Sequence, residues 1–404
     1  MTEIMLQHTP SDWPRKRLGQ LFRERREKVS DKDFPPLSVT KQGILPQLDT
    51  AAKTDDGDNR KGVRAGDFVI NSRSDRKGSG GLSDRDGSVS LINIVLEPRI
   101  VEPRFAHHLL RSPAFQEEFF RWGHGIVADL WTTRYSEMKN ILLAIPDRET
   151  QKAIANFLDR ETARIDQLIE KKKQLAGLYN ERFRSRVSEA VGGGLGLLPD
   201  DGPHIGDGWR FVQIRREVIL QRGVDITKDE QNEGGSYPVV SSGGVSSFHD
   251  HFLCKGPGVI IGRKGSAGKL HYEDRNFWPH DTVLYVKRFG ANKPKFVYYK
   301  FMALGLESFD RSSANPTINR NLVHPEKLWW PPRELQEKIV AQLDSERAQI
   351  ALLDNLNSTS VERLQELRAA LITAAVTGQI DVTSWGKTGQ TDRRLDQIEE
   401  AMSA

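Results

Sequence analysis

One cysteine, Cys254, stands among 404 residues, which excludes an internal disulfide and a multi-cysteine metal centre and suits a reducing cytoplasm. No apolar run approaches the roughly 18 residues that a membrane span needs. The polar start MTEIMLQHTPSDW also lacks the apolar core of a signal peptide, so neither export nor membrane insertion is expected. Catalytic signatures are missing as well. There is no Gly-x-Ser-x-Gly elbow and no His-Glu-x-x-His, and Asp33-Phe-Pro-Pro36 has the wrong order for the Asn/Asp-Pro-Pro-Tyr/Phe stretch of amino-methyltransferases. Gly262-Arg-Lys-Gly-Ser-Ala-Gly268-Lys269 comes near a phosphate-binding loop. Its first glycine is one residue too far out, and Leu270 stands where the metal-binding Ser or Thr belongs. Arg76 to Gly81 has no dinucleotide-type glycine spacing. His107 and His108 are adjacent, about 100° apart on a helix, while His249 and His251 have no third ligand at a diagnostic spacing. Catalytic and metal sets are therefore not expected in this chain.

Charge is nearly balanced, with a formal net of +4, but it is unevenly distributed. Arg15, Lys16, Arg17, Arg23, Arg25, Arg26 and Lys28 crowd against Glu24 and Glu27, and the stretch from Lys255 to Lys269 has basic residues and no acid. Such segments are either a local polyanion footprint or simply solvated faces.

What the chain does have is a repeat, about 185 residues apart. IPDRETQKAIANFLDRETARIDQL from residue 145 aligns without a gap to WPPRELQEKIVAQLDSERAQIALL from residue 330. The pairs include Pro146/Pro331, Arg148/Arg333, Glu149/Glu334, Gln151/Gln336, Asp159/Asp344 and Glu161/Glu346. Internal repeats fix architecture before local detail does. After each proline the apolar period becomes helical. Ile154, Leu158, Ile165, Leu168 and Leu175 form one heptad ladder, and Ile339, Leu343, Ile350, Leu353, Leu364, Leu367 and Leu371 form the other, with Glu346, Asn357 and Ser360 as polar rungs. Prolines at the entries and Gly192-Gly193-Gly194 and Gly378 at the exits bound two rods of about 45 residues, ~65–70 Å each at ~1.5 Å per residue. Each seam needs a partner rod, and the other copy is the obvious one.

The segments before the rods correspond more weakly: Trp13–Leu18 with Trp209–Ile214, Gly66–Ile70 with Gly256–Ile260, and Pro103–Phe105 with Pro294–Phe296. Strands are expected at Ser88–Val95, Gly258–Ile261 and Thr282–Val286, and helices at Phe105–Trp122 and Phe296–Leu306. The fold class expected is α+β: two globular domains with mixed β-sheets and two long antiparallel helices forming a coiled coil, arranged as a pseudo-twofold internal repeat. The divisions are 1–145 and 194–330 for the globules, 146–193 and 331–380 for the rods, and 381–404 for a polar tail with room for one short helix.

This organisation resembles the specificity subunits of Type I restriction-modification systems. Both rods open with P-x-R-E-x-Q-x-x-I-x-x-x-L-D, and the second half carries Tyr237 to Gly244, Gly256 to Gly268, Phe277 to Thr282 and Asn315 to Arg320 in the order of that family's target-recognition domain. The resemblance covers about 1–380. The first half departs from the pattern, with Asn71 to Gly81 in place of the glycine loop and Leu130 to Tyr135 in place of Asn315 to Arg320. The resemblance implies a non-catalytic, sequence-specific double-stranded DNA-binding subunit. It would hold two methyltransferase subunits, to which restriction/translocase subunits can be added. S-adenosylmethionine, ATP and Mg²⁺ would sit on those partners and not on this chain.

Each globule would read one half of a bipartite site, with the rods setting the gap. The DNA-contacting candidates are Arg263, Lys264, Ser266, Lys269, Thr317, Asn319 and Arg320 in the second half and Arg73, Arg76, Lys77, Ser79, Arg134 and Tyr135 in the first. Arginine suits phosphate or guanine O6/N7, and asparagine suits adenine N6/N7. Both loops are also readable as ordinary hairpin turns, and Thr317 to Arg320 as helix capping. Partner-docking candidates are Arg148, Glu149 and Gln151 with Arg333, Glu334 and Gln336, although helix capping explains acids there too. Glu161 and Glu346 would fix seam register. The alternative function is a helical scaffold without DNA sequence specificity.

Overall fold

The computed structural model describes residues 4–6, 9–48, 57–125, 131–192, 208–227, 232, 234–309, 317–382 and 385. Leu130, Asn315, Pro316, Gly193, Gly194 and the tail from 386 lie outside the described residues. In the first half, β1 (Arg15–Arg17), β2 (Phe22–Glu24), β3 (Phe68–Asn71), β4 (Gly80–Leu82) and β5 (Asn93–Pro98) precede α1 (Pro103–Arg111), α2 (Pro113–Arg121), α3 (Tyr135–Met138), β6 (Leu142–Ala144) and the rod α4 (Arg148–Ala190). The second half contains β7 (Arg210–Gln213), β8 (Ile219–Arg222), β9 (Tyr237–Ser241), β10 (Gly244–His249), β11 (Gly258–Gly262), β12 (Leu270–Glu273), β13 (Trp278–Pro279) and β14 (Val283–Arg288). It closes with α5 (Pro294–Leu304), α6 (Arg320–Val323), β15 (Lys327–Trp330) and the rod α7 (Arg333–Val376).

The chain forms two compact units, Met1–Lys172 with Thr359–Ala404, and Lys173–Ser358. Each therefore contains one globule, the start of one rod and the end of the other. The globules repeat a topology. A four-stranded antiparallel sheet has the order β2-β5-β3-β4 in one and β8-β14-β11-β12 in the other, and a two-stranded antiparallel ribbon, β1 with β6 or β7 with β15, leads into the rod. Parallel pairing enters through β9 and β13, while β9 and β10 form an antiparallel hairpin. The fold class is thus as expected, two α+β globules and two long helices.

The rods run antiparallel within each unit. In the first, Asp166 of α4 accepts from Arg368 of α7 at 2.9 and 3.1 Å. In the second, Asn180 accepts from Arg347 at 3.1 Å, and Glu346 meets Arg186 at 3.5 Å. The expected seam is buried at Ile154, Leu158, Ile165, Leu168, Ile339, Leu343, Leu364 and Leu371. It lapses at Leu353, which is 41% exposed beside Leu352 and Leu356 at 60% and 58%. Of the two seam glutamates, Glu346 thus faces the other rod, whereas Glu161 is buried beside Arg160 at 2.7 Å.

Two expected elements are broken by local chemistry. The helix over Phe105–Trp122 is two helices, because Pro113 cannot donate within a helix and Ser112 instead caps the second one, accepting from Phe115 N at 3.2 Å. The strand over Ser88–Val95 is split by a turn at Ser90–Asn93 that leaves Leu91 and Ile92 exposed. The rods end as foreseen, with Gly192 and Gly378 at φ +78 and +73, packed so closely on Trp209 and Pro10 respectively that a Cβ would intrude.

Lys300 of α5 has no charged counterpart in α1, where Leu109 stands at the same place relative to the N-terminal proline. Its Nζ is fully buried and donates to Val191 O at 2.7 Å, at the carbonyl end of α4. Burial pushes its pKa down to about 7. An unfolded lysine titrates near ~10.4, so between these values the unfolded chain binds more protons and stability rises with pH, the full burial cost being felt below pH 7. Lys300→Met is expected to abolish that rise. Urea midpoints of both proteins from pH 6.5 to 9.5 test it, and parallel pH curves would refute it.

Candidate nucleic-acid interface

The two segments singled out in each half are joined in the same way in both units. In the first, Arg73 and Thr132 form an antiparallel bridge and Thr133 N donates to Ser72 O at 3.0 Å. In the second, Lys264 bridges Thr317 and Ile318 N donates to Arg263 O at 3.0 Å. Candidates about 55 residues apart in sequence thus form one surface per globule.

Their exposure differs. The loop between β11 and β12 is a tight hairpin closed by Gly262 N to Lys269 O at 2.7 Å and Gly268 N to Gly262 O at 2.9 Å. A Cβ on Gly262 would lie 2.1 Å from Ser266 O, which explains the glycine. Arg263 turns back, its Nε and Nη2 donating to Asp281 O at 3.1 and 3.0 Å, and burial lowers its pKa. Lys269 Nζ donates to Gly243 O at 2.9 Å. Lys264 and Ser266 remain exposed at the tip. Asn319 caps α6, accepting from Asn321 N at 2.9 Å, and Arg320 reaches Leu220 O at 3.4 Å. The hairpin and capping readings therefore describe Arg263, Lys269 and Asn319 well, while Thr317 lines the bridge.

In the first unit Arg73 and Arg76 are exposed on either side of Asp75, at 3.1 and 3.7 Å. Lys77 pairs with Glu117 at 2.5 Å and lies over the Phe120 ring, and Ser79 is buried. Arg134 is exposed before α3. Tyr135 donates to Phe22 O at 3.0 Å, its pKa raised by burial and then by Glu24. Arg134 and Tyr135 share a cleft of about 810 Å³ with Arg26, Lys61 and His124. Three of the seven basic residues at 15–28 are ion-paired: Arg23 with Glu97, Arg25 with Asp67 at 2.7 Å and Arg26 with Glu24 at 2.6 Å.

Among the described residues, Asp225, His280 and Asp281 are the one group with metal-ligating geometry. Arg222 and Arg263 already neutralise Asp281, at 2.9 and 3.7 Å, so the donor set is poor for a cation.

The recurring rod residues divide into two kinds. Gln151 and Gln336 are buried at 3% and 2%. Gln151 donates to Pro146 O and accepts from Glu102 N at 2.8 Å; Gln336 donates to Pro331 O and accepts from Lys293 N at 3.0 Å. Both satisfy the backbone just ahead of α1 or α5 and have no surface to offer a partner. Asp159 and Asp344 act similarly, bonding His108 Nε2 at 2.7 Å and Tyr299 Oη at 2.5 Å. Arg148, Glu149, Arg333 and Glu334 are exposed. Sequence reasoning missed a second exposed surface, Leu178 with Leu352, Leu353 and Leu356, beside a groove of about 640 Å³ lined by Tyr179, Arg186, Glu346 and Ile350. Leu178, Leu352 and Leu356 fall outside the heptad ladders, which was the available signal, whereas Leu353 lies on one.

Residues 207–359 match the family described as the Type I restriction modification DNA specificity domain. A type I specificity subunit of Mycoplasma pneumoniae is 31% identical over 146 residues, 34% of this chain and 39% of that protein, so the match spans about two fifths of the relative's length. A chain solved for complex assembly and conformational transition of the type I R-M system has a TM-score of 0.74 at 17% identity, over 92% of this chain and 99% of that one. The HsdS subunit from Thermoanaerobacter tengcongensis has a TM-score of 0.53, also at 17% identity, over 92% and 98%. At that identity these likenesses concern the fold. Among the described residues, no helix is long and apolar enough to cross a membrane.

Proposed function

We propose that this chain is the non-catalytic DNA-specificity subunit of a Type I restriction-modification complex, each globule contacting one half of a bipartite duplex site. The observation that carries the reading is the duplicated bridge, Arg73 to Thr132 and Lys264 to Thr317, which presents an exposed basic loop at the same place in both globules. Phosphate contacts from Arg73, Arg76, Lys264 and Arg134 would position the duplex, and base contacts from these loops would specify it. The rods would set the gap between half-sites. Methyltransferase subunits, two by the repeat, would dock on Arg148 and Glu149 and on Arg333 and Glu334, and the exposed leucines offer apolar area for a partner helix. Restriction/translocase subunits would join through that complex. S-adenosylmethionine, ATP and Mg²⁺ belong to the partners in this reading.

Counterion release makes such binding steeply salt-dependent, with log K falling about 0.9 per phosphate neutralised for each tenfold rise in salt. Cognate-duplex affinity of the chain with its methyltransferase should therefore fall at least tenfold between 50 and 200 mM salt while still exceeding that for scrambled duplex. A helical scaffold predicts a stable complex with no duplex preference at any salt, and that result would overturn the proposal.

A further inference from the structure

Aligning the globules on Trp13/Trp209 and Leu18/Ile214 sets Arg26 opposite Arg222, both 196 residues apart like the tryptophans. Neither belongs to the loops discussed above. Arg222 is the last residue of β8, and Arg26 lies two residues past the end of β2; these are equivalent edge strands, paired with β14 and β5. Both guanidinium groups are open to solvent, with side chains 76% and 58% exposed. Each is nevertheless held by a carboxylate: Arg26 Nε by Glu24 at 2.6 Å, and Arg222 Nη2 by Asp281 at 2.9 Å.

Each also adjoins the recognition surface of its own unit. Arg26 shares a cleft with Ser72, Thr132 and Arg134. Arg222 shares Asp281 with Arg263, the residue whose carbonyl receives Ile318 N. The edge strand at each arginine is tied to the short helix of its own unit, β2 to α3 through Tyr135 to Phe22 O and β8 to α6 through Arg320 to Leu220 O. The equivalence therefore holds in sequence offset, in the edge strand concerned and in the adjoining recognition surface.

We propose that Arg26 and Arg222 are equivalent contacts to duplex DNA, one in each recognition domain, whose guanidinium forks take acceptor oxygens or nitrogens of the duplex. This rests on the DNA-specificity reading and adds a contact that the loop motifs do not contain. A carboxylate brace fixes the guanidinium plane before binding, which reduces the entropy lost in a bidentate contact. Glu24 engages Arg26 through Nε, which leaves both Nη groups without a partner among the described residues. The braces come from different places, a neighbour on the same strand in one half and a distant loop in the other, so the two forks are aimed independently.

The test uses the full chain with its methyltransferase, on a duplex carrying the motif mapped from methyladenine positions and on a scrambled duplex. Arg26→Ala and Arg222→Ala should each weaken cognate binding tenfold or more with an unchanged thermal midpoint, as expected of exposed residues. Arg→Lys separates the sources of the acceptors. Retained affinity with lysine, and a salt slope shallower by about 0.9 in alanine, identifies phosphate; loss with lysine and relaxed discrimination at one base pair of one half-site identifies a base edge. Either supports the assignment. If wild type prefers its motif and both alanine variants bind within twofold of it, the assignment is overturned. If wild type itself shows no preference, the specificity reading fails, and the assignment falls with it.

Discussion

Excising one heptad from each rod, residues 169–175 and 355–361, is expected to shorten the gap between the two half-sites by about three base pairs and to leave the half-sites themselves unaltered. Seven residues span ~10 Å at ~1.5 Å per residue, and a duplex base pair occupies ~3.4 Å. A whole heptad is chosen because it keeps the surviving apolar ladder in phase. The pairs Asp166 with Arg368 and Asn180 with Arg347 show the antiparallel registration that the paired excision preserves. Affinity for duplexes whose half-sites are separated by a graded series of gaps, or the methylated motif mapped with the partner enzyme, reads the outcome. An optimum at the original gap would reject the rods as the spacing element, and altered half-sites would reject the assignment of base reading to the globules.

Gln336→Ala should destabilise the second unit by about 3 kcal/mol, since it orphans Lys293 N, Asn292 Oδ1 and Pro331 O, at ~1–3 kcal/mol for each group left fully unsatisfied. The amide donates to Asn292 Oδ1 at 2.7 Å and accepts from Lys293 N at 3.0 Å. Asn292 in turn donates to Glu217 Oε2 at 3.0 Å, and Glu217 meets Arg210 at 2.9 Å, so the loss propagates through a buried network. Gln151 holds Glu102 N and Pro146 O, and position 101, the counterpart of Asn292, is the apolar Val101. Gln151→Ala is accordingly expected to cost less, about 2 kcal/mol, one orphaned N–H being the main loss. Urea unfolding of the single and double variants measures both, and a cost below about 0.5 kcal/mol for Gln336→Ala would show that the network does not hold rod to globule.

These glutamines show how far the sequence could be read. Their recurrence was visible at once, and partner docking and capping both account for recurring polar residues at a helix start. Burial separates the readings, and it depends on α1 and α5 being packed against the rods, a contact between residues about 45 apart in sequence. Arg263 was legible as a basic residue in a glycine-rich hairpin, yet its guanidinium faces Asp281. Arg26 was legible only as one of seven crowded basic residues; its solvent-open side chain held by Glu24 and its place in the cleft with Arg134 are what set it apart.

By itself the sequence determined the duplication, the two rods with their glycine exits and the α+β character of each half, because periodicity, proline and glycine act locally and a repeat is countable. Tertiary structure decided which recurring polar residues are buried braces and which are exposed, how the glycine hairpin meets the segment before each rod, and where the rod leucines leave the seam. Those outcomes turn on close contacts between segments distant along the chain, and residue type alone does not say which neighbour a side chain will meet.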